Sequence, residues 1–120
     1  MLNSFIQTII VTPDQTAEHL GSGLLPVFST PAMIALMENT AMKCINDLSE
    51  QDSSVGIEIN VKHLKASVVG VEISCEAKVV AVNGRKYSFQ LFVTDAAGSV
   101  VGEGTHERVV VNIGKFMSRL

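Results

Sequence analysis

From Ser53 onward, apolar and polar residues alternate with a period of two. The stretch "VGIEINVKHLKAS" alternates, as does "GVEISCEAKVVAV". Asn83-Gly84 follows, a two-residue hairpin signal, and then "RKYSFQLFVTD", the turn "AAG" and "SVVGEGTHERVVVN". Period two with short turns predicts four long strands in an antiparallel meander. The first part of the chain reads differently. "FIQTIIV" is β-branched and predicts a short strand, and "TPDQTAEHLGSG" reads as a helical turn ending in glycines. From Met33 to Leu48 the spacing is helical: Ile34, Met37, Ala41, Cys44 or Ile45, and Leu48 share a face. Thr30 before Pro31 predicts an N-cap followed by proline at the first helical position. One long helix and four long strands make an α+β layout. A sheet apolar on one face needs a cover, and this helix is the large candidate, so the sheet should wrap it. The tail "IGKFMSRL" is too short to assign from its pattern.

Composition narrows the class. A chain of 120 residues is expected to form one domain, residues 1–120. It is 47% hydrophobic but only 5% aromatic, with no Trp, so its core should be aliphatic. A net charge of −3 with no basic run argues against nucleic acid as partner. Cys44 and Cys75 lie in apolar contexts without metal or redox spacing, which predicts two buried thiols in a reducing compartment. The amino terminus lacks a signal-peptide pattern, and no apolar run approaches the roughly 20 residues of a membrane span. A cytoplasmic protein that binds no membrane is expected.

The candidate chemistry starts at Glu38, the only charged residue between Glu18 and Lys43. Residues 31 to 37 are apolar all round, so Glu38 interrupts a helix that reads as buried. A buried carboxylate is costly unless paired or facing a polar pocket, and such groups suit acid/base or nucleophilic work. The plainer reading places it at the helix edge, reaching water or a lysine. Of three histidines, His19 adjoins a glycine turn and reads as a surface residue. His63 sits in a strand between lysines, and His106 shares a face with Arg108 and Val110. A histidine in a strand is more often structural than catalytic, and no spacing here suggests a metal site.

Together "LPVFSTPAMIALMENTA", the strand residues Val55-Gly56 and Val61 to Leu64, and the closing Gly102, Gly104, His106 and Arg108 form a familiar set. Over about Val11 to Val111 the chain resembles the hotdog-fold thioesterase superfamily, most closely its fluoroacetyl-CoA thioesterase-like branch. That resemblance implies a long helix wrapped by a curved antiparallel sheet, and a homodimer with active sites at the subunit interface, with the choice between dimer and tetramer left open. It implies a catalytic set of Thr30, Glu38 and His63, and contacts to the acyl substrate from Gly56, Phe28 and Arg108. The implied reaction is hydrolysis of an acyl-CoA thioester, with no metal and no cofactor, coenzyme A being part of the substrate. Lys62, Lys65, Arg85, Lys86 and Arg108 are the candidates for its phosphates. The resemblance breaks before the helix. There "HLGSGLLPVF" is Gly- and Leu-rich where the fluoroacetate enzyme has an aromatic-rich lid, so the acyl group stays open. Two other readings share these residues: a non-catalytic acyl-CoA binding or sensing module, and a hotdog dehydratase with a differently placed acid/base pair.

Overall fold

The computed structural model describes residues 3–120. Strand β1 spans Ser4–Ile10. A 3-10 turn at Pro13–Gln15 and a short helix α1, Ala17–Leu20, lead to the long helix α2, Thr30–Cys44. Strands β2 (Asp52–His63), β3 (Glu72–Asn83), β4 (Lys86–Asp95) and β5 (Val100–Asn112) follow, and the tail forms a third helix, α3, Ile113–Ser118. All pairings are antiparallel, in the order β1-β3-β4-β5-β2.

This order corrects the expected four-strand meander. Only β3, β4 and β5 form one, through turns with Gly84 and Gly98 at positive φ (64° and 83°), where glycine carries no steric cost. The connection after β2, residues 64–71, is not a tight turn. It is tied to the segment before α2 by Phe28 N–H donating to the Ser67 carbonyl (2.8 Å), and to β5 by Leu64 N–H donating to the Val101 carbonyl (2.7 Å). It thereby carries the chain across the sheet end. Strand β2 then pairs with β5 at one edge, and β1 closes the other.

Helix α2 begins one residue earlier than the sequence suggests. Ser29, not Thr30, is the N-cap: its hydroxyl accepts from Ala32 N–H at 3.1 Å. Thr30 is the first helical residue and its side chain is free for other work. The helix ends at Cys44, so Leu48 lies beyond it. Its buried stripe is Met33, Leu36, Met37, Thr40, Ala41 and Cys44, with Ile34 only half-buried. Thr40 tolerates burial because its hydroxyl donates to the Leu36 carbonyl at 2.7 Å. Opposite this stripe, β3 presents Ile73, Cys75 and Ala77, and β4 presents Phe89, Leu91 and Val93. Both thiols are buried, and burial pushes Cys75 up to about 11. Each fully buried side chain of Leu or Ile size contributes about 1.5–3 kcal/mol, so this apolar layer holds helix to sheet.

Two glycines explain the Gly-x-Gly of β5. A methyl group on Gly104 would lie 2.9 Å from the Val61 Cα and closer still to the Asn60 carbonyl, both backbone atoms of β2. One on Gly102 would strike the Met33 side chain and come within 3.0 Å of the Lys62 carbonyl. Bare backbone at these positions lets β2 and β5 approach closely while α2 lies against them.

Candidate active site

Two clusters of polar side chains meet α2, one at its first turn and one about two turns further on. The first lies at the helix start. Thr30 Oγ1 and His63 Nδ1, the latter from the end of β2, are 2.8 Å apart in a hydrogen bond. The Phe28 ring, 1% exposed, meets the imidazole edge to face, with centroids 6.2 Å apart and planes at 80°. Phe28, Thr30, Pro31, His63 and Leu64 line a cavity of about 330 Å³. Burial holds His63 below its ordinary value, so the ring stays neutral near pH 7. A neutral imidazole keeps one donor and one acceptor nitrogen. Nδ1 is taken by Thr30, and the buried Nε2 has no partner among the described residues.

The second cluster surrounds Glu38. Eight residues of helix separate it from Thr30, a rise of about 12 Å. Glu38 is partly exposed, and its Oε2 lies 3.6 Å from Arg108 Nη1, so it is an edge residue with an arginine partner rather than a wholly buried charge. The carboxylate lies over Gly56, where a methyl group would stand 2.7 Å from Oε2 and 3.1 Å from His106 Cε1. Next to Gly56 the β2–β5 register shifts, Ile57 being the extra residue.

Arg108 is fastened from several sides. Its Nε donates to the Ser54 hydroxyl (2.8 Å) and its Nη2 to the Ser54 carbonyl (2.9 Å). Nη1 lies 3.1 Å from His106 Nε2, and His106 Nδ1 lies 2.7 Å from the Glu58 carbonyl. A carbonyl only accepts, so Nδ1 carries the proton and Nε2 accepts from the guanidinium. His106 is therefore a neutral ring in one tautomer, and burial first, then the Arg108 charge, holds its pKa down. The fork geometry of arginine leaves an Nη1–H directed at Glu38. A smaller cavity, about 180 Å³, opens here between Glu38, Gly56, Ile57, Ile59 and His106.

The fold thus brings Thr30, His63 and Phe28 together, and separately Glu38, Gly56 and Arg108. Within one protomer it does not unite the two groups. Sequence reasoning placed His106 and Arg108 on one face of β5, as observed, but gave His106 no role and missed Ser54. The signal was the His-x-Arg pair facing a bare glycine. Arg108, a candidate for phosphate contact, is only 5% exposed and is committed to Ser54 and His106. Lys65 pairs with Asp95, Lys86 lies 3.8 Å from Glu107, and Lys62 stands opposite Glu103 across the β2–β5 ladder. Arg85, by contrast, makes no ion pair among the described residues.

A long helix embraced by a curved antiparallel sheet, with a Thr–His pair and an arginine-held carboxylate along that helix, defines a hotdog-fold protein of the thioester-handling kind. The chain superposes on a solved hot-dog-like protein from Thermanaerovibrio acidaminovorans with a TM-score of 0.86 at 26% identity, covering 97% of this chain and 86% of that one. A family model described as fluoroacetyl-CoA-specific thioesterase matches residues 11–114, and the chain belongs to that family. It is 29% identical over 123 residues to the fluoroacetyl-CoA thioesterase of Streptantibioticus cattleyicolor, covering 97% of this chain and 88% of the relative. A solved structure of the fluoroacetyl-CoA thioesterase FlK matches with a TM-score of 0.92 at 28% identity, over 99% of this chain and 93% of that one.

Proposed function

We propose that the protein hydrolyses an acyl-CoA thioester to the free acid and coenzyme A, at a site built from Thr30 and His63 of one protomer and Glu38 of another. The observation that carries this reading is the Glu38 carboxylate held by buried Arg108 over bare Gly56, with room for an acyl carbonyl beside it. Glu38 can remove a proton from water as the oxygen attacks the carbonyl carbon, or attack directly to give a mixed anhydride that water then opens. In either route the C–S bond breaks and the departing thiolate takes a proton. Thr30 and neutral His63 supply the hydrogen bonds that orient the attacking oxygen or meet the carbonyl. Backbone N–H groups beside Gly56 are within the class of donors that stabilise an oxyanion. No metal or further cofactor enters this scheme.

The edge of the sheet supports a homodimer. Strand β2 is 12 residues long, lies at an edge, and exposes Ile57 beside its bulge. Long uncovered edges invite strand pairing. An antiparallel pairing of β2 with its own copy sets the start of one strand beside the end of the other. Glu38 and Gly56 then approach the partner subunit's Thr30 and His63. No helix among the described residues is long and apolar enough to cross a membrane, and a cytoplasmic location fits two buried thiols.

Complementation tests the site. Glu38→Gln and His63→Ala should each abolish thiol release from a panel of acyl-CoAs. Refolded together, they should regain roughly a quarter of wild-type activity, since half the dimers are mixed and one of their two sites is intact. No recovery means each site lies within one protomer, and unaltered release by Glu38→Gln removes the site altogether. Saturable binding without release by the wild type marks a binding module instead. The same panel should include acetyl- and fluoroacetyl-CoA, because Leu24 and Leu25, 91% and 64% exposed, occupy the loop before α2 with no aromatic ring until Phe28.

A further inference from the structure

At the far end of β5 from His63, a pocket of about 250 Å³ is bounded by Arg85, Lys115 and Arg119, with Phe116 and Asn112 between them. Three of the chain's nine Lys and Arg residues converge there in a protein of net charge −3. No carboxylate lines the pocket, and none of the three cations makes an ion pair among the described residues. Arg85 is anchored by Nη1 donating to the Val110 carbonyl (3.3 Å), which leaves its other N–H groups for a ligand. Phe116 is 37% exposed and offers a flat apolar face. Unpaired guanidinium and ammonium groups around an aromatic ring suit a phosphorylated purine nucleotide: charge and fork geometry for phosphate, stacking for the base.

The pocket also sits in the right place. Val110, on its wall, follows Arg108 by two residues on the same buried face of β5. Helix α3 is tied to the start of β2 by Ile113 N–H donating to the Gln51 carbonyl at 2.8 Å. It therefore belongs to the end of the molecule that carries Glu38 and Gly56.

We infer that Arg85, Lys115 and Arg119 bind the phosphates of the coenzyme A nucleotide, with the adenine against Phe116. This rests on the thioesterase reading, and the test separates the two. The Lys115→Gln/Arg119→Gln variant changes only the exposed terminal helix, and a triple variant adds Arg85→Gln. With acyl-CoA, KM should rise about tenfold or more, the loss expected for a charged hydrogen bond, while kcat holds. Hydrolysis of the matching acyl-pantetheine, which lacks the nucleotide, should be unaltered. Adenosine 3′,5′-diphosphate should compete with acyl-CoA on the wild type and not on the triple variant. An unaltered KM for acyl-CoA, or an equal rise for acyl-pantetheine, overturns the inference. If the wild type releases no thiol from any substrate, the thioesterase reading fails alone. Calorimetric binding of adenosine 3′,5′-diphosphate, present in the wild type and lost in the triple variant, still supports the pocket, and its absence from the wild type overturns it.

Discussion

Gly56 is the residue on which most of the site's geometry turns. Its φ is not positive, so alanine meets no backbone strain there; the nearest obstacle is the far end of the flexible Glu38 side chain, and His106 Cε1, at 3.1 Å, need give only a few tenths of an ångström. Gly56→Ala should therefore push the carboxylate off its station without unfolding the chain. The expected result is a fall in kcat of about a hundredfold or more, the scale of a lost acid/base group, with the thermal midpoint held. Steady-state kinetics beside a melting curve checks both halves. The histidines supply a second prediction. His63 and His106 are held below their ordinary value of 6.5, both mainly by burial. The unfolded chain thus binds protons that the folded chain refuses, so stability is full above pH 6.5 and declines as pH falls through the depressed folded values. Urea unfolding at pH 7.5, 6.5 and 5.5 should show that decline, and His106→Gln, which keeps an acceptor for Arg108, should flatten it. The carboxylate of Asp95, lowered by Lys65, acts only below its ordinary 3.8 and does not confuse the window.

At the scale of elements, the start of α2 divides two tasks between neighbours. Ser29 caps the helix, and Thr30 turns its hydroxyl to His63. Ser29→Ala should cost about 1 kcal/mol of stability with kcat little altered. Thr30→Ala should do the reverse, and Thr30→Ser should restore turnover; if Thr30→Ala keeps full turnover, the hydroxyl has no part in the reaction. Both residues sit before Pro31 and each suits an N-cap by type, which is why the sequence pattern alone chose the wrong one. The helix's apolar run was plain from its spacing. Its exposed Ala35 and Pro31 were not, because spacing records where apolar groups fall and not whether a neighbouring element covers them.

At the scale of the molecule, the proposed homodimer rests on the β2 edge of the sheet and on the separation of Glu38 from Thr30 and His63. Ile57→Lys places a charge on that edge, a device that blocks strand pairing. Sedimentation should show a shift toward monomer, and thiol release should fall in parallel. A monomeric variant with wild-type turnover would contradict the shared site. The nucleotide pocket at α3 belongs to this scale too, since Arg85 comes from a hairpin turn while Lys115 and Arg119 come from the tail, 30 or more positions away in the chain.

Local rules were enough for the strands, the hairpins, the long helix and the types of side chain available for chemistry. Alternation, turn residues and helical spacing are properties of a few neighbouring positions; the grouping of Thr30, Glu38 and His63 came instead from the resemblance to a known family. Strand order could not be read locally, because it depends on where the 64–71 connection crosses and which edges remain open, a matter of chain closure over the whole sheet. Nor could the partner of Glu38. Arg108 lies 70 positions away and reaches the carboxylate only because β2 pairs with β5 so that Gly56 stands opposite it, Gly56 leaves a gap, and Ser54 and His106 hold the guanidinium against it.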